Sequence, residues 1–244
     1  MQHKTSTDNL KAMDVVILIG GKGTRLKDVI NDRPKPMAEI NGRPFLDILI
    51  EYVASFGFCR FILCSGYMSD FISRYYEKQE TSYSIIISKE KEPLGTGGAV
   101  KNAECYIKSD PFLVMNGDSF CLVNLEDFVG FHIEKKADLS LSLASIDNAA
   151  DYGTVKINQE NCIESFVEKG ISSAGYINAG VYIFNKSILE KMPSEKAFSL
   201  ENDLFPQLAG KSFYGYETGG EIIDIGTPER YRKAQQAIKK MLRS

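Results

Sequence analysis

Val15-Val16-Ile17-Leu18-Ile19, then Gly20-Gly21-Lys22-Gly23-Thr24-Arg25-Leu26, with Pro34-Lys35-Pro36-Met37 close behind, decide the reading of this chain. The uninterrupted apolar run predicts a strand covered on both faces. A glycine-rich turn leaving such a strand can direct backbone N–H groups at a phosphate chain without side-chain obstruction. Arg25 just past the glycines and Lys35 further on add two positive charges, and Pro34 and Pro36 restrict the backbone around the lysine. Together they point to a site that holds a nucleoside triphosphate and works on its phosphates. Two better-known glycine patterns do not fit. A P-loop needs its lysine after the last glycine, whereas Lys22 precedes Gly23. The dinucleotide fingerprint needs a third Gly or Ala where Leu26 stands.

At 244 residues, the chain has room for one large α/β domain. Residues 1–12 are expected to be a flexible polar extension. Residues 13–244 are expected to form one domain, with a nucleotide-binding half (13–120) and a sugar-phosphate-binding half (121–244). Hydrophobic content of 43% and charged content of 25% are ordinary for a globular protein. A net charge of −3 argues against nucleic acid or an anionic membrane as partner, so the basic residues of the first motif are read as a local anion site. The five cysteines form no C-x-x-C pair and there are only two histidines, which disfavours zinc. No segment has the apolar length of a membrane span, and Met1–Ala12 lacks the apolar core of a signal peptide. A cytoplasmic, reducing location is expected, which leaves the sequon Asn185-Lys186-Ser187 without meaning.

Strands and helices alternate through the first half. Strands are expected at 15–19, 61–64, 84–87 and 112–115, and helices at 45–56, 70–77 and 98–107. Such alternation predicts a parallel sheet with helices on both faces, and ligands gather at the carboxyl ends of its strands. The Gly20–Arg25 turn and Asn116-Gly117-Asp118 both stand at such ends. Beyond residue 120 the pattern turns to β. Residues 139–144 alternate as a half-exposed strand would, and 153–157, 162–168 and 177–184 are further strands. Helices are expected at 201–208 and 228–242, the latter with Pro228 in its first turn behind Thr227 as N-cap.

Asp118 and Asp224, far apart in sequence, each sit where a strand passes into a loop, a position at which a scaffold holds a side chain still. Mg²⁺ takes one or two carboxylates together with phosphate oxygens and waters, so two such aspartates meeting over a triphosphate would suit it. An arginine fork suits a departing pyrophosphate and a lysine is a compact charge for the α-phosphate.

These segments resemble the sugar-1-phosphate nucleotidyltransferases. The G-G-x-G-T-R-L turn with P-K-P-M is similar to the family signature. Glu92-Pro93-Leu94-Gly95-Thr96-Gly97-Gly98-Ala99 resembles its nucleotide-side loop, and Asn116-Gly117-Asp118 its first metal aspartate. Glu168-Lys169 and Ile177-Asn178-Ala179-Gly180-Val181-Tyr182 resemble its sugar-phosphate loops, and Asp224-Ile225-Gly226-Thr227-Pro228-Glu229 its second metal aspartate. The resemblance implies a Rossmann-like, glycosyltransferase-A-type α/β fold with a central mixed, mostly parallel sheet. It implies that a sugar 1-phosphate oxygen attacks the α-phosphorus of an NTP while pyrophosphate leaves in line. Arg25, Lys35 and Asp118 would be catalytic, with Mg²⁺ on Asp118 and Asp224. Leu18, Gly20, Gly21, Gly23, Thr24, Glu90, Gly95, Thr96 and Gly97 would bind the nucleotide. Lys169 would bind the sugar phosphate, and Glu168, Asn178 and the Gly153 backbone the sugar hydroxyls. Relatives commonly self-associate, so a homo-oligomer is compatible.

The E-P-L-G-T-G-G-A stretch resembles guanylyltransferases, both for mannose 1-phosphate and for D-glycero-α-D-manno-heptose 1-phosphate. The short chain, without a long C-terminal repeat domain, looks more like the heptose group. Guanine presents N1–H and N2–H donors that one carboxylate can accept together, and Glu90 or Glu92 could be that acceptor. UTP or CTP with a hexose 1-phosphate stays open as an enzyme reading, and a nucleotide-sugar-binding regulatory subunit as a non-enzyme one. Loss of Arg25, Lys35, Asp118 or Asp224 would favour the latter, yet all four are present. Two positions depart from the family pattern: Ile19 replaces a more usual alanine, which is expected to tighten the base pocket, and no tryptophan precedes Asp224.

Overall fold

β1 (Asp14–Leu18) is the middle of the molecule, and its side chains divide between two cores. Val15 and Ile17 enter one hydrophobic cluster and Val16 the other, so a strand with no polar alternation is buried on both faces. The structure, a computed structural model, describes residues 7–26, 29–147, 153–167, 174–194 and 196–241. Before β1, α1 (Thr7–Ala12) buries Leu10 in the first cluster, so residues 7–12 are an anchored helix and not a flexible extension. A single apolar side chain achieves this within an otherwise polar stretch.

After the glycine turn come the short hairpin β2 (Glu39–Ile40) and β3 (Arg43–Pro44), then α2 (Phe45–Ala54), β4 (Arg60–Ser65), α3 (Ser69–Tyr76) and β5 (Ser84–Lys89). β4 pairs with β1 in parallel and β5 with β4 in parallel. α4 (Gly95–Asn102) then crosses the opposite face to β6 (Phe112–Asn116), which pairs in parallel on the other side of β1. The strand order therefore reverses at β1, and the crevice where such sheets take ligands opens at its carboxyl end. α2 and α3 pack in the first cluster and α4 in the second, which covers both faces.

β7 (Ser119–Cys121) and α5 (Leu125–Glu134) lead into the β-rich half: β8 (Leu139–Ile146), β9 (Thr154–Ile157), β10 (Ile163–Val167) and β11 (Gly175–Phe184). β11 joins the halves by pairing antiparallel with β6, β8 and β9. α6 (Ser187–Glu190) and a π-turn over Leu200–Leu204 precede α7 (Phe205–Leu208). β12 (Phe213–Glu217) pairs in parallel with β8, and β13 (Ile222–Asp224) forms a separate ladder with β7. α8 (Pro228–Met241) closes the chain, with the Arg230 amide donating to the Thr227 hydroxyl at 3.3 Å as the cap requires.

Two expectations change here. β8 is buried from Leu139 to Ala144 and not half-exposed. Its serines face inward because Ser140 bonds the buried His132 ring and Ser142 accepts the Val181 amide at 3.2 Å. The helix expected at 98–107 begins three residues earlier, at Gly95, and gives way to a 3-10 turn over Glu104–Tyr106. Among the described residues, no helix is long and apolar enough to cross a membrane.

Candidate active site

The glycine turn is shaped by what approaches it. The Gly117 amide donates to the Leu18 carbonyl at 2.9 Å and the Ile19 amide to the Cys64 carbonyl at 3.0 Å, after which the chain leaves the sheet. A Cβ on Gly20 would stand 2.5 Å from Glu90 Oε1, whereas one on Gly21 would meet nothing within 4 Å. Gly20 thus makes room for a carboxylate, and Gly21 faces open space. Gly23 has φ +56°, and a Cβ there would lie 2.9 Å from the Lys35 Cβ. Only glycine lets Lys35 lie along the turn.

Lys35 is held between Pro34 and Pro36 with a side chain 10% exposed, and its ammonium lies 2.6 Å from Asp118 Oδ2. The β7–β13 ladder pairs Ser119 with Asp224, and the Ile225 amide donates to the Asp118 carbonyl at 3.1 Å. The two aspartates are therefore neighbours at one end of a small ladder. Asp224 Oδ1 accepts the Gly226 amide at 2.8 Å and Oδ2 the Arg230 guanidinium at 3.1 Å. A Cβ on Gly226 would lie 2.8 Å from Asp224 Oδ1 and 3.8 Å from both the Arg25 Nη2 and the Lys35 Nζ. Arg25, Lys35, Asp118 and Asp224 thus converge from four segments. Among the described residues, no group of three or more His, Cys, Asp or Glu could hold a metal. Two aspartates neighbouring along the backbone, both beside Lys35, are still a donor set of the kind that suits Mg²⁺ when phosphate and water supply the remaining oxygens.

A cleft of about 670 Å³ opens beside this cluster, and Leu18, Gly20, Gly21, Glu90, Gly95 and Thr96 all line it with Asp118. Gly23, Thr24, Arg25 and Lys35 line an adjoining hollow of about 200 Å³. Lys22, Tyr67, Lys91 and Asn116 also line the cleft, and the sequence reading missed all four. Lys22 lay in plain view inside the glycine motif. Asn116 opens the Asn116-Gly117-Asp118 segment, whereas Tyr67 and Lys91 belong to no motif, and neither does Arg230, which reaches Asp224 from the first turn of α8.

Glu92–Ala99 is not a loop throughout, because Gly95–Ala99 already lies in α4. Its glycines answer a protein segment: the Phe198 carbonyl accepts the Gly97 and Gly98 amides at 2.8 and 3.0 Å. A Cβ on Gly97 would stand 2.4 Å from the Phe198 ring. Gly97 therefore serves packing and does not line the cleft. The Thr96 hydroxyl donates to Glu201 at 2.7 Å and accepts the Leu200 amide at 2.8 Å. Glu90 Oε2 accepts the Leu94 amide at 3.1 Å. Burial pushes the Glu90 carboxyl above its ordinary range, against that bond. Glu92 lines the same cleft. Ile19, buried in the first core, lines the adjoining hollow beside Arg25 and Lys35 and not the larger cleft, and its Cγ2 lies 2.4 Å from where a Gly117 Cβ would be.

On the acceptor side, Gly153 is half-buried immediately before β9. Glu168 and Lys169 lie outside the described residues. Asn178 Nδ2 donates to the Tyr182 hydroxyl at 2.9 Å and Oδ1 accepts the Gly180 amide at 2.8 Å.

The family model for nucleotidyl transferases matches residues 14–241. The chain is 41% identical over 228 residues to D-glycero-α-D-manno-heptose 1-phosphate guanylyltransferase of Aneurinibacillus thermoaerophilus, covering 93% of this chain and 99% of the relative. It is 36% identical over 224 residues to the enzyme of the same name from Campylobacter jejuni, covering 90% and 97%. The crystal structure of HddC from Yersinia pseudotuberculosis complexed with GMP-PN superposes with a TM-score of 0.82 at 41% identity, covering 93% of this chain and 99% of that one. The chain belongs to the nucleotidyl transferase family.

Proposed function

We propose that this protein transfers GMP from GTP to D-glycero-α-D-manno-heptose 1-phosphate and releases pyrophosphate. The convergence of Arg25, Lys35, Asp118 and Asp224 beside the cleft supports the reaction class. The pairing of substrates is supported by two relatives that match over nearly their whole length and carry that activity in their names.

In this reading, an ionised oxygen of the sugar 1-phosphate bonds to the α-phosphorus as the bond to the β-phosphate oxygen breaks. No protein nucleophile is required. The protein's part is to position the groups and offset charge. Arg25 faces the departing pyrophosphate and Lys35 the α-phosphate. Asp118 and Asp224 would hold Mg²⁺, which when bound neutralises phosphate charge. Lys35 also lies against Asp118, so the same ammonium that meets phosphate orients the first carboxylate. Glu90, anchored by the Leu94 amide, offers a carboxylate to the two donors on the guanine edge.

Pyrophosphate release from GTP, UTP, CTP and dTTP, each paired with heptose, mannose and glucose 1-phosphates, tests this directly. The highest kcat/KM is expected for GTP with the heptose 1-phosphate. A higher value for any other pair replaces the assignment. Asp118→Asn and Asp224→Asn are each expected to lower turnover by at least about 100-fold, the scale seen when a preorganised charge is removed. Near-normal rates in either variant would remove that residue from the metal site.

A further inference from the structure

β11 breaks its ladder inside the acceptor segment. Asn178 pairs with Leu143 and Tyr182 with Leu141, so four steps of β11 pass two steps of β8. Two residues are extra, and the bend occurs at Gly180, where φ is +77°. In a regular strand, residues four apart are separated by about 13 Å. Here the side chains meet, with Asn178 Nδ2 donating to the Tyr182 hydroxyl at 2.9 Å.

Two of the three amides between these paired residues are taken by side chains. Gly180 donates to Asn178 Oδ1 at 2.8 Å and Val181 to the Ser142 hydroxyl at 3.2 Å. A backbone N–H can only donate, so the oxygen of Asn178 must face Gly180 and its nitrogen must face Tyr182. Both halves of the carboxamide are then fixed, with one N–H and one oxygen lone pair left over. A Cβ on Gly180 would meet Ser119 Oγ at 2.9 Å and Asn116 Nδ2 at 3.0 Å, so this bulge presses on the strand ends that carry Asp118. Tyr182 is fully buried and packs against Phe184 and Phe205, a rigid post for the bond.

We propose that Tyr182 is a positioning residue for the acceptor: its hydroxyl locks the Asn178 carboxamide so that the spare N–H points at an oxygen of the sugar 1-phosphate. This rests on the nucleotidyltransferase reading and on no particular sugar or base, because the assay uses whichever pair the wild type turns over best. A wild type that prefers another pair would change the function reading and leave this test intact.

Tyr182→Phe removes only the hydroxyl. KM for the sugar 1-phosphate is expected to rise about three- to ten-fold, the weight of one hydrogen bond, and KM for the NTP by less, because the hydroxyl also meets Asn116 at the edge of the cleft. In an Asn178→Ala background, where acceptor KM is already raised, the same change is expected to add less than about twofold, because the residue it orients is gone. Asn178→Asp can still accept from Gly180 and take the phenol proton, yet has no N–H to give. It is expected to fold normally and raise acceptor KM at least as much. An unchanged acceptor KM in Tyr182→Phe or in Asn178→Asp overturns the proposal. So do an equal rise in both substrates' KM and full multiplication of the two effects in the double variant.

Discussion

At the scale of single residues, Glu90 shows how the cleft uses missing side chains. Its carboxylate sits in a notch between two glycines: Gly20 could not carry a Cβ against Oε1, and a Cβ on Gly66 would be 3.5 Å from Oε2. Burial raises its pKa, so the folded protein holds the proton more tightly than the unfolded chain. Stability therefore declines as pH rises from the ordinary value of 4.5 through the raised one, and the cost is fully present above it. Glu90→Gln is expected to raise Tm at pH 7.5, with the gap from wild type closing toward pH 4. A gap that does not vary with pH would show that the carboxylate carries no burial cost. The same variant is expected to reduce the preference for GTP over UTP by about tenfold or more, the loss of a charge-assisted pair of hydrogen bonds. The candidates Arg25, Lys35, Asp118 and Asp224 were legible in the sequence because each belongs to a short pattern, and Glu90 because it stands two residues before one. Their partners were not. Nothing local to Lys35 announces Asp118, and nothing local to Asp224 announces Arg230.

At the scale of elements, the first turn of α4 carries glycines for the sake of a strap from the other half of the chain. Gly95 has φ +71°, and a Cβ there would stand 2.7 Å from the Phe198 carbonyl oxygen, a backbone atom that cannot swing aside. Gly95→Ala is expected to destabilise the protein by about 1–3 kcal/mol through left-handed strain and overpacking. KM for the nucleotide is expected to rise with it, because Gly95 and Thr96 line the cleft. Gly21→Ala, with no neighbour within 4 Å of the added Cβ, is the control for stability and is expected to leave Tm nearly unchanged. Equal Tm losses in the two variants, measured by thermal melts, would dismiss the strap as the reason for the glycine. Three glycines around a threonine read as a loop by propensity, and the strap overrides that preference. β8 misled in the opposite sense. Its Leu-Ser alternation imitates a half-exposed strand, yet Ser140 and Ser142 serve a buried imidazole and a bulged amide. The strands of the parallel half were legible because apolar runs bounded by glycine and polar residues suit nothing else of that length.

At the scale of the whole molecule, His132 marks where the β-rich half is fastened, and it gives the fold a dependence on acid. The ring lies on α5, bonded through Nδ1 to Ser140 on β8 at 2.8 Å and through Nε2 to the Asn185 Oδ1 after β11 at 3.0 Å. Asn185 Nδ2 donates to the Ala137 carbonyl at 2.9 Å, which fixes the amide and makes its oxygen the acceptor from Nε2–H. Nδ1 is then the acceptor from the Ser140 hydroxyl, and a second proton has to enter at that buried position. Burial lowers the histidine pKa from its ordinary 6.5, while the Asn185 bond and the carboxylates of Asp110 and Asp138 pull the other way. The unfolded chain takes up a proton that the folded protein refuses, so stability is complete above pH 6.5 and is lost as pH falls through that value toward the lowered one. Urea unfolding of the wild type from pH 8 to pH 5 is expected to show a midpoint that drops with acidity. His132→Gln, which keeps polar atoms without the titration, is expected to start less stable and to show a flatter profile. Parallel slopes for the two proteins would assign the acid sensitivity to other groups and leave His132 a purely structural link between α5, β8 and β11.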